Sequence, residues 1–129
     1  MPLSYAVSGP EQLVRVRASG AVTSEDLPRL ASSLAGDDDI LPGMRFLVEA
    51  ADVDPDITFT DLRNAAGVLT SLYEKGVSDM AIVTDTTHVY ALAQVFAVFA
   101  PPATVSVKVF RTLPDATAWL KAQAERTVS

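Results

Sequence analysis

The sequence predicts an α/β fold with the element order ββαβαβαβα: a five-stranded, mostly parallel sheet that opens with an antiparallel hairpin and carries four helices. Three observations predict it. Short β-branched runs alternate with stretches whose apolar residues recur at helical spacing, the pattern of parallel strands joined by right-handed crossovers. The first two strand-like runs are separated only by a Gly-Pro turn, too short for a helix. Three Thr-x-x-Asp spacings, at Thr23, Thr58 and Thr112, stand where helices should begin.

The elements follow in order. Leu3 to Ser8, the Gly9-Pro10 turn and Gln12 to Ser19 read as the hairpin. In its second strand Leu13, Arg15 and Arg17 alternate with Val14, Val16 and Ala18, so one side faces water, and Gly20 is expected to end it. Thr23 and Asp26 introduce a helix striped by Leu27, Leu30, Ala31 and Leu34, closed by Gly36 and the acidic run Asp37 to Asp39, with a Pro42-Gly43 turn beyond. Phe46 to Ala50 is nearly all apolar, as in a strand covered on both faces. A loop over 51–57 leads to Thr58 and a helix striped by Leu62, Ala65, Ala66, Leu69, Leu72 and Tyr73, with Gly76 as its C-cap. Met80 to Val83 is a buried-type strand, and a helix runs from Asp85 or Thr86 to about Ala100. Val105, Val107 and Val109 then alternate with Ser106 and Lys108, and Thr112 opens a last helix striped by Leu113, Ala116, Leu120 and Ala124.

Composition bounds the function. The 129 residues suit one domain, 1–129; 49% are hydrophobic and 20% charged, as in a globular chain. The net charge of −6 and ten scattered Lys and Arg residues leave no basic footprint for nucleic acid. No cysteine is present, which removes disulfides and thiolate chemistry and, with no secretory leader in Met1 to Ser4, fits a cytoplasmic setting. The uncharged stretch from Thr86 is interrupted by Pro101-Pro102 before reaching the ~20 residues a bilayer requires, so no membrane span is expected.

The segment Val109-Phe110-Arg111-Thr112, continuing to Ala118-Trp119-Leu120, is similar to the "vFrd…eAlaWL" ending of the SpoIIAA-like family, small bacterial domains related to STAS and CRAL-TRIO domains. Gly20-Ala21-Val22-Thr23 matches the family's "GxVT" element, and Tyr90 to Phe96 stands in place of a "YGlaRmf" pattern. The resemblance covers essentially the whole chain. It implies a STAS-like fold and a regulatory domain that works by binding, without a cofactor. Ala91 and Gln94 depart from the pattern, where relatives show glycine and frequently arginine.

Among candidate sites, the helix Thr87 to Ala100 stands out. Val89, Leu92, Ala93, Phe96, Phe99 and Ala100 should pack on the sheet, yet the opposite face holds Ala91, Gln94, Val95 and Val98, where a surface helix shows charges. A helix apolar all round is normally buried all round. The expected cover is a second subunit, so His88, Tyr90, Ala91, Gln94, Val95 and Val98 are interface candidates and a homodimer is the leading expectation, with a regulatory protein partner the wider form of it and ordinary cover by neighbouring elements of the same chain the plainer one. The alternative is a small apolar or amphipathic ligand, with Tyr90, Gln94 and His88 as polar handles.

Enzymatic constellations are not found. His88 is the sole histidine and has no nucleophile elbow to serve. Asp52, Asp54 and Asp56 open like a calcium loop, but Ile57 and Arg63 occupy the positions that need glycine and glutamate, so no metal is expected. In the anti-sigma-factor antagonists that such domains resemble, a phosphorylatable serine lies between the third strand and its helix. Thr58 and Thr60 occupy that junction here, and capping competes with phosphorylation as their role.

Overall fold

The computed structural model describes residues 2–128, with side chains through Glu125. Strands β1 (Leu3–Ser8), β2 (Leu13–Thr23), β3 (Arg45–Asp56), β4 (Asp79–Thr84) and β5 (Ser106–Phe110) form one sheet in that sequential order. β1 and β2 pair antiparallel and every other neighbour is parallel. The helices are α1 (Asp26–Ala35), α2 (Phe59–Ala66), α3 (Val68–Glu74), α4 (Thr87–Phe99) and α5 (Leu113–Val128). The α/β fold read from the sequence is therefore the fold of the chain. The second expected helix comes in two pieces that meet at Gly67, which keeps helical angles and donates its N–H to Asn64 O.

Sequential strand order with right-handed crossovers forces every crossover helix onto one face. The main core accordingly lies between that face and α1 to α4, built on Val14, Val16, Phe46, Met80 and Ile82. α5 follows the last strand and is free to cover the other face, where Ala116 and Leu120 pack on Leu47 and Ala81. Trp119 tilts against Phe110, ring centroids 5.7 Å apart. From β2 this second cluster takes in Leu13, while Arg15 and Arg17 lie beyond it and meet Glu49 of β3, each at 3.4 Å.

Four details differ from the sequence reading. β2 does not stop at Gly20, and β3 runs through the expected 51–57 loop; the two strands continue together, Gly20 beside Val53 and Thr23 beside Asp56. A bulge between Ala18 and Gly20 lets them do so, with Gly20 and Asp52 both at positive φ. The alternation Asp52-Val53-Asp54-Pro55-Asp56-Ile57 was a strand signal all along, with acids outward and apolar residues half-buried. Pro55 is tolerated because β4 pairs with β3 only as far as Ala50, leaving this stretch with an open side.

Thr23 does not cap α1: its hydroxyl donates to Asp26 Oδ2 at 3.1 Å, and the helix begins three residues later. Tyr73 and Leu113, expected in apolar stripes, leave nearly half of their surface in solvent. α4 is not buried all round, as the next section describes. Gly76 does serve as a turn glycine, at φ +97° with its carbonyl accepting from Gly43 N–H.

Candidate functional site

Two features converge on α4, one on each of its sides. The helix has no charged side chain, yet Ala93 is its one buried residue. On the outer side Ala91, Gln94 and Val98 are exposed and Val95 is half-buried; Val98 presents 81% of its surface to solvent. His88 is exposed in the first turn. Tyr90 is half-buried on the flank toward β5, where Gln94 Nε2 donates to its hydroxyl at 3.1 Å. The Arg111 guanidinium lies 4.1 Å from the centre of the Tyr90 ring, a cation–π distance. The structure thus brings Tyr90 and Gln94 together and adds Arg111, which sequence reasoning passed over. Its signal in the sequence was the arginine of the Val109-Phe110-Arg111-Thr112 ending, which carried the family resemblance without being read as a site residue.

On the inner side the apolar residues of α4 do not seat fully. A cavity of about 180 Å³ separates them from the sheet, and every residue lining it is apolar. α4 contributes Val89, Leu92, Ala93 and Phe96; α1 contributes Leu27, Leu30, Ala31 and Leu34, and the strand extension adds Val53 and Pro55. His88, Tyr90 and Gln94, expected as polar handles for an apolar ligand, do not line it. Helical geometry explains the difference, because those three side chains project from the other sides of the helix. The floor is tight at one end, where Phe46 is fully buried, and looser toward the carboxyl ends of the strands, where Val48, Ala50 and Val53 are half-exposed. Crevices at that end are the usual ligand position in open α/β sheets.

Thr84, the last residue of β4, stands at this looser end. It is 1% exposed, and its hydroxyl has no hydrogen-bond partner among the described residues. An unpaired buried hydroxyl is unfavourable, so its presence calls for an account.

Thr58 caps α2 in a full capping box: its hydroxyl accepts from Asp61 N–H at 3.1 Å and its own N–H donates to Asp61 Oδ2 at 2.7 Å. The Ser24 hydroxyl also donates to Asp61 Oδ2, at 2.7 Å, and tethers the loop before α1 to the start of α2. That bond, followed by the Thr58 N–H, holds the Asp61 carboxyl below its ordinary range. Thr60 is exposed in the first turn of α2. Asp52, Asp54 and Asp56 project from the strand extension into solvent. At the opposite end of the sheet the Tyr5 hydroxyl donates to Asp37 at 2.6 Å. This bond lowers the carboxyl's pKa and, with partial burial, pushes the Tyr5 hydroxyl up to about 12.

Comparison with known proteins agrees with this architecture. The SpoIIAA-like family profile matches residues 13–121. The chain belongs to the SpoIIAA-like family. The crystal structure of an uncharacterized DUF3478-family protein from Shewanella loihica PV-4, described as having a SpoIIAA-like fold, superimposes with a TM-score of 0.55 at 23% identity, covering 92% of this chain and 91% of that one. At that identity the likeness speaks for the fold. No curated protein matches the chain. No helix among the described residues of this SpoIIAA-like domain is long and apolar enough to cross a membrane.

Proposed function

We propose that this SpoIIAA-like domain works by binding rather than by catalysis, and that the outer face of α4 holds a second copy of the chain. One observation carries the reading: a thirteen-residue helix without a charge leaves Val98 81% exposed, beside Ala91, Gln94 and Val95. Burying a valine stabilises a contact by roughly 1.5–3 kcal/mol, and a two-fold interface buries each one twice. The uncharged helix also lets two chains of net charge −6 meet without opposed carboxylates at the contact. Tyr90, Gln94 and His88 flank the face and would form its polar rim. Sedimentation across a concentration series tests the reading: a dimer that Val98→Glu dissociates supports it, and a wild-type monomer at every concentration defeats it.

A regulatory form of the same reading places phosphate on Thr60, which is exposed, rather than on Thr58, whose hydroxyl is engaged in the cap. Intact mass of the protein from its native cells tests it, an 80-dalton increment being the expected sign of about one phosphate. The absence of cysteine supports a cytoplasmic setting.

The second reading is a binding site for a small apolar or amphipathic molecule, and the apolar cavity under α4 favours it. Native mass spectrometry of gently purified protein, paired with a denatured run, tests it through a non-covalent excess mass.

A further inference from the structure

The two edges of the sheet are built differently. β5, at one edge, carries Lys108 at its centre, and the projecting part of β3 holds Pro55 among Asp52, Asp54 and Asp56; both devices discourage strand addition. β1, at the other edge, reads Leu-Ser-Tyr-Ala-Val-Ser over its six residues, with no charge and no proline, in unbroken register with β2.

The pairing of β1 shows which of its backbone groups stay free. Ser19 N–H donates to Pro2 O at 2.9 Å, so Pro2 and Ser19 stand at a hydrogen-bonded position of the ladder. Such positions alternate along an antiparallel pair, so the N–H and C=O groups of Ser4, Ala6 and Ser8 turn toward β2. Those of Leu3, Tyr5 and Val7 turn outward, where no further strand follows. A bare edge of this kind is a template for an extended segment.

The side chains of the same three residues lie on the α1 face, where Tyr5 and Val7 pack on the main core and Leu3 lines the cavity. An added strand opposite them turns alternate side chains to that face as well. A groove of about 210 Å³ lies there, between Leu3 and Tyr5 of the strand and Asp26, Arg29, Leu30 and Ser33 of α1. These helix residues recur at the spacing of one face and so wall the edge along its length. Two charges stand in the wall. The Asp26 carboxylate accepts from the Thr23 N–H and hydroxyl, at 2.8 and 3.1 Å. Arg29 is exposed and forms no ion pair among the described residues. The unmatched charge of the groove is therefore positive.

A second copy of β1 does not answer it. Pairing Leu3, Tyr5 and Val7 with themselves about a two-fold axis brings no acid to the groove, and it sets two Tyr5–Asp37 pairs side by side.

We propose that the β1 edge takes up an extended segment of a different protein by antiparallel strand addition, with an acidic side chain of that segment in the groove against Arg29. The surface is apart from the α4 face, whose Tyr90 flank lies toward β5 at the opposite edge of the sheet, and the proposal does not rest on the α4 reading.

The capped peptide Val-Thr-Glu-Thr-Val, titrated into the full chain at neutral pH and low salt, tests it by amide shifts in NMR. The shifts should centre on Leu3, Tyr5 and Val7. Methylating the peptide's glutamate and valine nitrogens, which face β1 in this pairing, should abolish them, while methylating the threonine nitrogens should not. Glutamine in place of the peptide's glutamate should weaken binding about two- to fivefold, a difference that Arg29→Ala or 1 M salt removes. Val98→Glu should bind the peptide as the wild type does, so failure of the α4 interface and failure of this one are read separately. Binding that survives methylation of the glutamate and valine nitrogens overturns the pairing, and equal binding of the two peptides by the wild type overturns the Arg29 contact. No shift at millimolar peptide, or protection of the same amides by self-association without peptide, overturns the proposal as a whole.

Discussion

Replacing Val98 with glutamate probes the proposed α4 interface where the monomer has least to lose. Val98 keeps 81% of its surface in solvent, so the substitution removes little packing within the chain and the variant should fold with nearly wild-type stability. In a two-fold dimer the same residue is covered twice. Four-fifths of a valine's burial, taken over both copies, is worth about 2–5 kcal/mol. Glutamate forfeits that gain and adds the cost of desolvating two unpaired carboxylates. The dimer dissociation constant should rise by at least about 100-fold. Analytical ultracentrifugation over a wide concentration range measures it, with Leu113→Glu as a matched control: Leu113 is exposed on α5, across the sheet, and its substitution should leave the constant unchanged. A Val98→Glu protein that dimerises with the wild-type constant would refute the reasoning, as would equal weakening by both variants.

Other outcomes follow from the local geometry. Gly76→Ala should destabilise the chain by roughly 2–4 kcal/mol in chemical denaturation, because a Cβ there would stand 2.6 Å from Pro42 at a backbone φ of +97°. Thr58→Ala opens the capping box of α2 and should cost about 0.5–2 kcal/mol, with Thr58→Ser recovering most of it. Tyr5 carries a hydroxyl pushed up to about 12 by its bond to Asp37, so the folded chain holds that proton after the unfolded chain, at 10.0, has released it. Stability from this bond is complete below pH 10 and drains away as pH rises toward 12; Tyr5→Phe should flatten that part of the curve in alkaline denaturation. On the acid side Asp37 is lowered by the same bond, so the wild type should lose stability as pH falls through the depressed carboxyl pKa, and Tyr5→Phe should show less of that loss.

The fold was legible because each element declared itself by period and punctuation. Val14 and Val16 alternate with Arg15 and Arg17, and the former are buried as the pattern requires. Thr112 accepts from Asp115 N–H at the start of α5, as its spacing suggested. What the sequence concealed was tertiary. Three aspartates around Pro55 look like a loop until β2 is found beside them, since a half-solvated strand and an acidic loop share a composition. Likewise the stripe of Val89, Leu92, Ala93 and Phe96 named the side of α4 toward the sheet, but not the cavity that lies beneath it. The candidate face with Ala91, Gln94, Val95 and Val98 could be written down in advance. The cavity could not, because it is a shortfall of packing among four helices and the sheet rather than a property of any one segment. Thr84 went unremarked for a related reason: a threonine ending a strand looks ordinary until its hydroxyl is found without a partner.

The paired extension of β2 and β3 bears on how these molecules avoid one another. Beyond Ala50 the outer side of β3 has no strand beside it, an open invitation for a foreign strand to join. Pro55 withholds one of the donors that such a newcomer would need, and Asp52, Asp54 and Asp56 set like charges against any identical strand. The bulge adds a twist that a straight strand would not match. Strand-to-strand growth is thus discouraged at the one place where the sheet frays into a two-stranded ribbon. A second copy of the chain therefore finds no ready partner strand along this ribbon.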